Sequence, residues 1–405
     1  MRVATAHSYD TTIANLNKRQ ADLVAQQERI STGKRVQRAS DDPVAAVMAE
    51  AAQSRLSRAQ VDQRAVEAAR TSLSQAENAL GEAGELIQDV RELLVKAGNA
   101  TYGSKEYKSI AQEIEGLRDR LLGVANQKDG AGRTLFGGLG GSATPFTEVY
   151  GPSGGGVQFQ GQRGQEAPGN LSLPHTFDGE AVFMRVPAGN GSFTLDLPAG
   201  NTGSLHTDIG RVSNPSAVTG HAYSISFADV SGTLQYTVTD TTTSTPVPGH
   251  SGVPYVAGST LEFDGVAIGL QGQPAVGDTV AVNPVTGPTD IFQVMQDAID
   301  ALRTPTGGQT AQLTQSLGRA LSEIDAGHDR VLSARSQAGE WLNRAEAVDE
   351  LLADRQVDYE AEKSGLEDLD LVKGISDFQN QQTGLQAALQ SYAQIQKLSL
   401  FQYVS

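Results

Sequence analysis

From Val66 onward an apolar residue recurs every seven positions, through Leu73, Leu80, Ile87 and Leu94, and Leu56 extends the pattern upstream. A seven-residue step keeps one face of a helix apolar for as long as it is sustained, and that face needs a partner helix along its length. The helical pattern holds from Val44 to about Ala97, which predicts a helix of roughly 50 residues, about 75 Å long at 1.5 Å per residue. Globular helices stop well short of that, whereas coiled coils and long bundles do not. A counterpart lies near the other end of the chain. Thr310 to about Lys363 carries Leu313, Leu317, Leu321, Ile324, Val331, Leu342 and Leu351 on a helical face. The two long helices are expected to lie antiparallel and bury each other.

Start and stop signals divide the flanks further. Residues 6–31 read as one helix ending at Ser31-Thr32-Gly33, where Gly33 suits a left-handed cap. After the polar connection Lys34 to Ser40, Asp41-Asp42-Pro43 supplies an acceptor side chain at the helix start and a proline at the first helical position. Gly98 to Gly103 breaks the long helix, and Ser104 to Asn126 returns, carrying Ile110, Ile114, Leu117, Leu121 and Val124. Towards the C-terminus, residues 289–303 form a short helix with Ile291, Val294, Met295, Ile299 and Leu302. Ser364-Gly365 and the acidic run Glu367-Asp368-Leu369-Asp370 are expected to interrupt the second long helix before a terminal helix at about 370–398.

Between the flanks the composition changes. Residues 131–288 hold 28 of the 44 glycines and 13 of the 15 prolines, which excludes long helices there. Ala222–Phe227, Thr233–Val238, Thr260–Phe263, Val266–Leu270 and Val280–Val282 alternate apolar and polar residues between Gly, Pro and Asp, as half-buried strands do. They predict a small antiparallel β domain over about 171–286, with Leu135-Phe136 and Gly156–Gly161 as hairpin material on the helices. The expected fold is therefore mainly α with a β insert: a long antiparallel helical bundle or coiled coil from both termini, and a central antiparallel β domain. Three regions follow. Residues 1–40 and 366–405 are terminal coiled-coil assembly segments, 41–170 and 289–365 a helical rod with a β-hairpin, and 171–288 a β domain.

Bulk properties narrow the function. With 31 Lys and Arg against 47 Asp and Glu, the net charge of -16 argues against a nucleic acid or an anionic membrane as partner. There is no cysteine, which removes disulfides, thiol chemistry and cysteine metal sites. The opening residues Met1 to His7 have no apolar core or cleavage site of a secretory signal, and no stretch approaches 18 apolar residues. Export, if any, is expected by a route that reads no cleavable signal.

No catalytic constellation emerges. Gly138-Leu139-Gly140-Gly141-Ser142-Ala143 matches a loose dinucleotide pattern, but Thr144-Pro145-Phe146 stands where a helix must begin, so a turn is expected. Thr32-Gly33-Lys34 has the end of a phosphate loop, yet Glu28 occupies the position of its upstream glycine, and the segment reads as a helix stop. The histidines at 7, 175, 206, 221, 250 and 328 never pair at metal-ligand spacing. Glu360, Glu362, Glu367, Asp368 and Asp370 read as a solvated hinge, and Trp341 as a packing residue. The expectation is no enzyme, no cofactor and no metal.

The terminal stripes point elsewhere. Ile13, Leu16, Leu23 and Ile30 near one end, and Leu371, Ile375, Phe378, Leu385, Leu389 and Tyr392 near the other, recur at helical spacing. Gln20, Gln27, Gln382 and Gln396 are expected among their interior positions, so an isolated pair is weakly stabilised and orders against neighbours. Burial of these terminal stripes between subunits is expected.

These residues also carry a family resemblance. Arg29-Ile-Ser-Thr-Gly-Lys-Arg-Val-Gln-Arg-Ala-Ser-Asp-Asp-Pro-Val-Ala-Ala46 resembles the N-terminal signature of the bacterial flagellin superfamily. Asn126-Gln-Lys-Asp-Gly-Ala-Gly-Arg-Thr-Leu-Phe-Gly-Gly138 looks like that family's turn from helix into hairpin. The tail from Gln381 to Val404 is similar to the branch at the hook–filament junction, with Phe401-Gln402-Tyr403 where a filament flagellin ends in a Leu-Ser-Leu-Leu type of sequence. The resemblance implies a structural part of the flagellum, exported unfolded through the flagellar type III channel with a dedicated chaperone. It further implies contacts with a hook-side junction protein, flagellin and copies of itself, a subunit interface at Ile13, Leu16, Leu23, Ile30, Leu385, Leu389, Tyr392, Ile395, Leu398 and Phe401, and a β domain over 171–288 that faces outward. A filament flagellin is the alternative within the family, and a hydrolase carried in the β domain the alternative outside it.

Overall fold

The structure is a computed structural model that describes residues 2–99, 101–140, 142–151, 154–166, 173–304 and 311–404, with side chains at all of these except 2–9, 150, 151, 154, 155 and 395–404. The expected edges of the β domain at 170–172 and of the second long helix at Thr310 lie outside the described residues. Seven helices frame the described chain: α1 (Arg2–Thr32), α2 (Pro43–Ala97), α3 (Ser104–Ala125), α4 (Gly179–Phe183), α5 (Ile291–Arg303), α6 (Ala311–Glu367) and α7 (Leu371–Val404). The fold is mainly α, with helices from both ends of the chain bracketing a central antiparallel β domain. By its contacts the chain divides into two compact units, Met1–Ala65 with Ala347–Ser405, and Val66–Glu346.

The helix signals work as their chemistry demands. Gly33 adopts φ 69° directly after α1. The Asp42 carboxylate accepts from the Ala45 amide at 3.0 Å with Pro43 in the first turn of α2, and Asp370 accepts from the Val372 and Lys373 amides at the start of α7. One expectation fails: Ser364-Gly365 does not interrupt α6, which continues to Glu367. A glycine inside a helix costs only about 1 kcal/mol relative to alanine. The stop comes where the Glu367 carbonyl accepts the Arg35 and Val36 amides, at 2.7 and 3.2 Å, from the connection after α1.

In the unit Val66–Glu346, the seven-residue stripe is buried as expected: Val66, Leu73, Leu80, Ile87 and Leu94 are all at most 3% exposed. α2 and α6 run antiparallel, with Glu77 bonded to Arg335 at 2.7 Å and Arg91 to Asp325 at 2.6 Å. α3 and α5 pack against them in one apolar cluster. An aromatic group fills its end. Phe183 lies between Phe136, Phe146 and Phe292 at centroid distances of 5.4, 5.5 and 6.1 Å, and Trp341 packs on Phe177 at 4.8 Å. The hairpin expectation is half right. Its strands are β1 (Phe146–Gly151) and β2 (Gly154–Phe159), whereas Leu135 and Phe136 are buried core residues outside any strand. Phe136 is drawn into the aromatic cluster instead of a ladder.

The β domain contains β3 (Phe193–Asp196), β4 (His206–Thr207), β5 (Arg211–Val212), β6 (Tyr223–Val230), β7 (Thr233–Asp240), β8 (Thr245–Pro246), β9 (Val253–Pro254), β10 (Thr260–Phe263), β11 (Val266–Gln271) and β12 (Thr279–Pro284). One sheet runs β3-β12-β6-β7-β8 with β9 also on β7; the other joins β10 to β11, with β4 and β5 on β11. Alternate residues of both sheets, among them Ile225, Phe227, Val238, Ile268, Leu270 and Val280, form a second core. Two-residue loops close the β6–β7 and β10–β11 hairpins, where Ser231-Gly232 and Asp264-Gly265 all have positive φ. The first turns of α6 hold this domain by polar contacts on one helix face. Gln315 accepts from the Thr207 amide at 2.8 Å and donates to the Leu195 carbonyl, Arg319 pairs with Asp196 at 2.7 Å, and Glu323 accepts from the Gly189 amide at 2.7 Å.

The aromatic cluster should dominate the stability of its unit. Phe183→Ala removes a fully buried ring and should cost about 3–5 kcal/mol, read as a lower denaturation midpoint in the fluorescence of Trp341, the one tryptophan. In the β domain, burial acts to raise the Asp240 carboxyl, but hydrogen bonds from His221 and from the Thr243 and Thr242 backbone outweigh it and hold it at about 2. A carboxyl lowered on folding stabilises the fold above its unfolded value near 3.9, and this contribution is lost as the pH falls toward 2. Asp240→Asn should therefore flatten the acid sensitivity of the β domain across that window, measured by near-ultraviolet circular dichroism of its tyrosines.

Candidate assembly interface

The unit of residues 1–65 and 347–405 contains two antiparallel helix pairs. In the first, the Gln26 side chain donates to the Gly374 carbonyl at 3.1 Å, and the Arg19 guanidinium lies over Gly384, 3.1 Å from where a Cβ would stand. Moving back along α1 thus moves forward along α7. Leu16, Leu23 and Ile30 of α1 and Phe378, Leu385 and Tyr392 of α7 turn toward this seam and are half-buried. The alternate seam positions are polar or small: Thr12, Gln26, Gly374, Gln381 and Ala388.

The ten expected interface residues therefore separate. Leu16, Leu23, Ile30, Leu385 and Tyr392 share the half-buried seam. Ile13 and Leu389 do not; they are 36% and 50% exposed and sit one helical position away from it. The side chains of Ile395, Leu398 and Phe401, and of Gln396, lie outside the described residues. The polar seam position is also displaced from expectation. Gln20, Gln27 and Gln382 are exposed, and Gln26 is the buried glutamine. A heptad reading started at Ile13 puts Gln20 and Gln27 inside; started at Thr12, it puts Gln26 there, and the Gly374 carbonyl that accepts its amide decides for the latter. Ile13, Val24, Leu371, Val372, Ile375 and Leu389 remain as exposed apolar residues on a helix pair that uses only one face of each member.

The connection between α1 and α2 is tied to the end of α6. Lys34 pairs with Glu367 at 2.7 Å, which raises the lysine above its ordinary value through that hydrogen bond and the attraction behind it. Arg35 reaches both the Leu366 carbonyl at 2.8 Å and Asp42 at 3.1 Å. Backbone hydrogen bonds from Arg38 and Gln37 hold the Asp41 carboxyl below its usual range, and the Ala45 amide together with the Arg35 guanidinium does the same for Asp42. The acidic run thus does more than face water: Glu367 and Asp370 organise the corner, and Glu362 pairs with Arg55 at 2.8 Å. The Arg55 guanidinium also lies 5.1 Å over the Tyr359 ring. Among the described residues no helix is long and apolar enough to cross a membrane, and no group of three or more His, Asp or Glu could hold a metal ion.

This arrangement has known relatives. The bacterial flagellin N-terminal helical region matches residues 3–140, and the bacterial flagellin C-terminal helical region matches residues 321–404. The flagellar hook-associated protein 3 of Escherichia coli is 28% identical over 99% of both chains. A crystal structure of flagellar hook-associated protein 3 from Legionella pneumophila superimposes with a TM-score of 0.71 at 28% identity, covering 78% of this chain and 98% of that one. The flagellin of Bacillus subtilis is 31% identical, but over only 27% of this chain and 37% of its own. Matched at both helical ends by flagellin and along its whole length by the junction type, the chain belongs to the bacterial flagellin superfamily, in the branch of flagellar hook-associated protein 3.

Proposed function

We propose that this protein is a structural adaptor joining the bacterial flagellar hook to the filament, assembled by packing of its terminal helices after export through the flagellar type III channel. The observation that carries this is the unused apolar face of the α1–α7 pair, with Ile13, Ile375 and Leu389 exposed beside a seam that alternates apolar with polar residues. Such a seam stabilises a lone pair weakly, and the remaining stripe loses water contact only against further helices. In this reading residues 1–40 and 366–405 are the assembly segments, 41–170 and 289–365 the helical rod, and 171–288 the outward-facing β domain. Ile13, Leu16, Leu23, Ile30, Leu385, Leu389, Tyr392, Ile395, Leu398 and Phe401 form the subunit interface. The partners are a hook-side junction protein, flagellin and copies of the chain itself, with a cytoplasmic export chaperone holding the C-terminal segment beforehand. The protein works outside the cell as a joint and transforms no substrate. A filament flagellin would have the same helical ends; purified chain that grows long filaments unaided under the electron microscope would favour that reading.

Two outcomes test the adaptor. Leu389→Asp places a carboxylate on the exposed stripe, so the isolated chain should keep its α1–α7 pair while incorporation into flagella is lost, because burying an unpaired charge costs several kcal/mol as an order of magnitude. Leu23→Asp should lose incorporation and also loosen the pair, seen as faster proteolysis of α1. Normal motility with either variant would contradict the proposal. Amide exchange on the isolated chain should show α1 and α7 far less protected than α3, with protection gained on assembly; equal protection in the lone chain would argue against ordering by neighbours.

A further inference from the structure

α2 carries a second seam that stays uncovered among the described residues. Between Pro43 and Ala65 its buried side is Ala45, Ala49, Ala52, Leu56 and Ala59. On the far side Val44, Val47, Ala51, Ser54, Arg58, Val61 and Ala65 follow one another at alternating steps of three and four, the spacing of a coiled-coil face. All are exposed, Val44, Val47 and Val61 by 63%, 71% and 54%. Arg58 is the only charge among them, and it has no ion-pair partner among the described residues.

α6 has the complementary surface. Its inner side in this unit includes Val348 and Leu352, both buried. Its outer side is Ala347, Glu350, Asp354, Val357, Ala361 and Ser364, again at steps of three and four and again exposed. Glu350 and Asp354 have no ion-pair partner among the described residues, and neither does the adjoining Asp358. Carboxylates four apart on one helix repel each other, so this spacing disfavours the helix that bears it unless a cation comes between.

We infer that the outer seam of α2 on one copy packs against the outer seam of α6 on the next copy, with Arg58 seated against Asp354. The occupant is a second copy because the single cation of one seam meets the acids of the other, and both surfaces belong to the same chain. Within a chain the two helices are antiparallel and Gln63 meets Asp349 at 3.1 Å. Placing Arg58 of one copy opposite Asp354 of the next repeats that register, and Ala51 then meets Ala361. Neighbours that point the same way with no shift along the helices satisfy this, and a head-to-tail contact of that kind closes into a ring when its rotation permits. The inference rests on the adaptor reading and specifies how adjacent subunits touch.

The absence of cysteine allows a direct test. Full-length chains carrying Ala51→Cys or Ala361→Cys are produced together in cells lacking the native protein, and their sheared flagella are treated with a short bismaleimide. Each chain has one thiol, so a product of twice the chain mass that contains only this chain joins two copies. The mixed Ala51–Ala361 product should exceed either homodimer severalfold. Adding Arg58→Glu to the first chain should reduce it, and adding Asp354→Arg to the second should restore it. Circular dichroism checks that each variant keeps its helices. Flagella that contain both chains but yield only homodimers, or a mixed product indifferent to Arg58→Glu, would overturn the inference while leaving the adaptor reading intact. Absence of even the unaltered chain from flagella would overturn both.

Discussion

A helix packed against a single partner keeps one strip of its surface dry, and both helix pairs in the unit of residues 1–65 and 347–405 are of this kind. Leu16, Leu23 and Ile30 reach only half-burial against Phe378, Leu385 and Tyr392, and the outer sides of α2 and α6 in this unit stay exposed among the described residues. The heptad spacing therefore serves twice. It builds the intramolecular seams, and it leaves equally regular strips facing away from them. A chain that had to be stable alone would carry charge on those outer strips, whereas here valine and alanine occupy most of the one on α2.

The unit Val66–Glu346 is organised on the opposite principle. There α2 and α6 are flanked by α3 and α5, so their stripe is wrapped by more than one neighbour and becomes fully buried. Aromatic rings from the segments after α3 and from α5 interlock around Phe183 of α4, and Trp341 of α6 packs on Phe177. Edge-to-face packing of such rings adds to the area they bury. Under the adaptor proposal, the wrapped core is the part that folds by itself and the singly paired helices the part completed by neighbours.

Much of this was legible from residue order. The long stripe, the Gly33 cap, the Asp42-Pro43 start and the alternating strands each express a local rule with a local cause, and each appears where expected. What failed depended on contacts distant in sequence. Gly365 looked like a stop, but α6 ends two residues later because the connection after α1 takes the Glu367 carbonyl. Leu135 and Phe136 looked like strand residues, but the aromatic core claims the ring. Within the interface, spacing alone could not tell a stripe beginning at Ile13 from one beginning at Thr12, since both recur every seven residues; the choice lay with Gln26 and the Gly374 carbonyl on the partner helix. Asp264-Gly265 between two alternating strands is a hairpin signal present in the sequence and absent from the expectations.

The polar face on the first turns of α6 has a consequence for how the β domain can change. Gln312, Gln315 and Glu323 meet it largely through peptide groups: the carbonyls of Leu195, Pro198 and Asn201 and the amides of Thr207 and Gly189. Peptide groups are the same whatever side chain they carry. Mutations on the solvent side of the insert can therefore accumulate without unfastening it, so its exposed side chains are free to drift while its mooring to α6 stays constant.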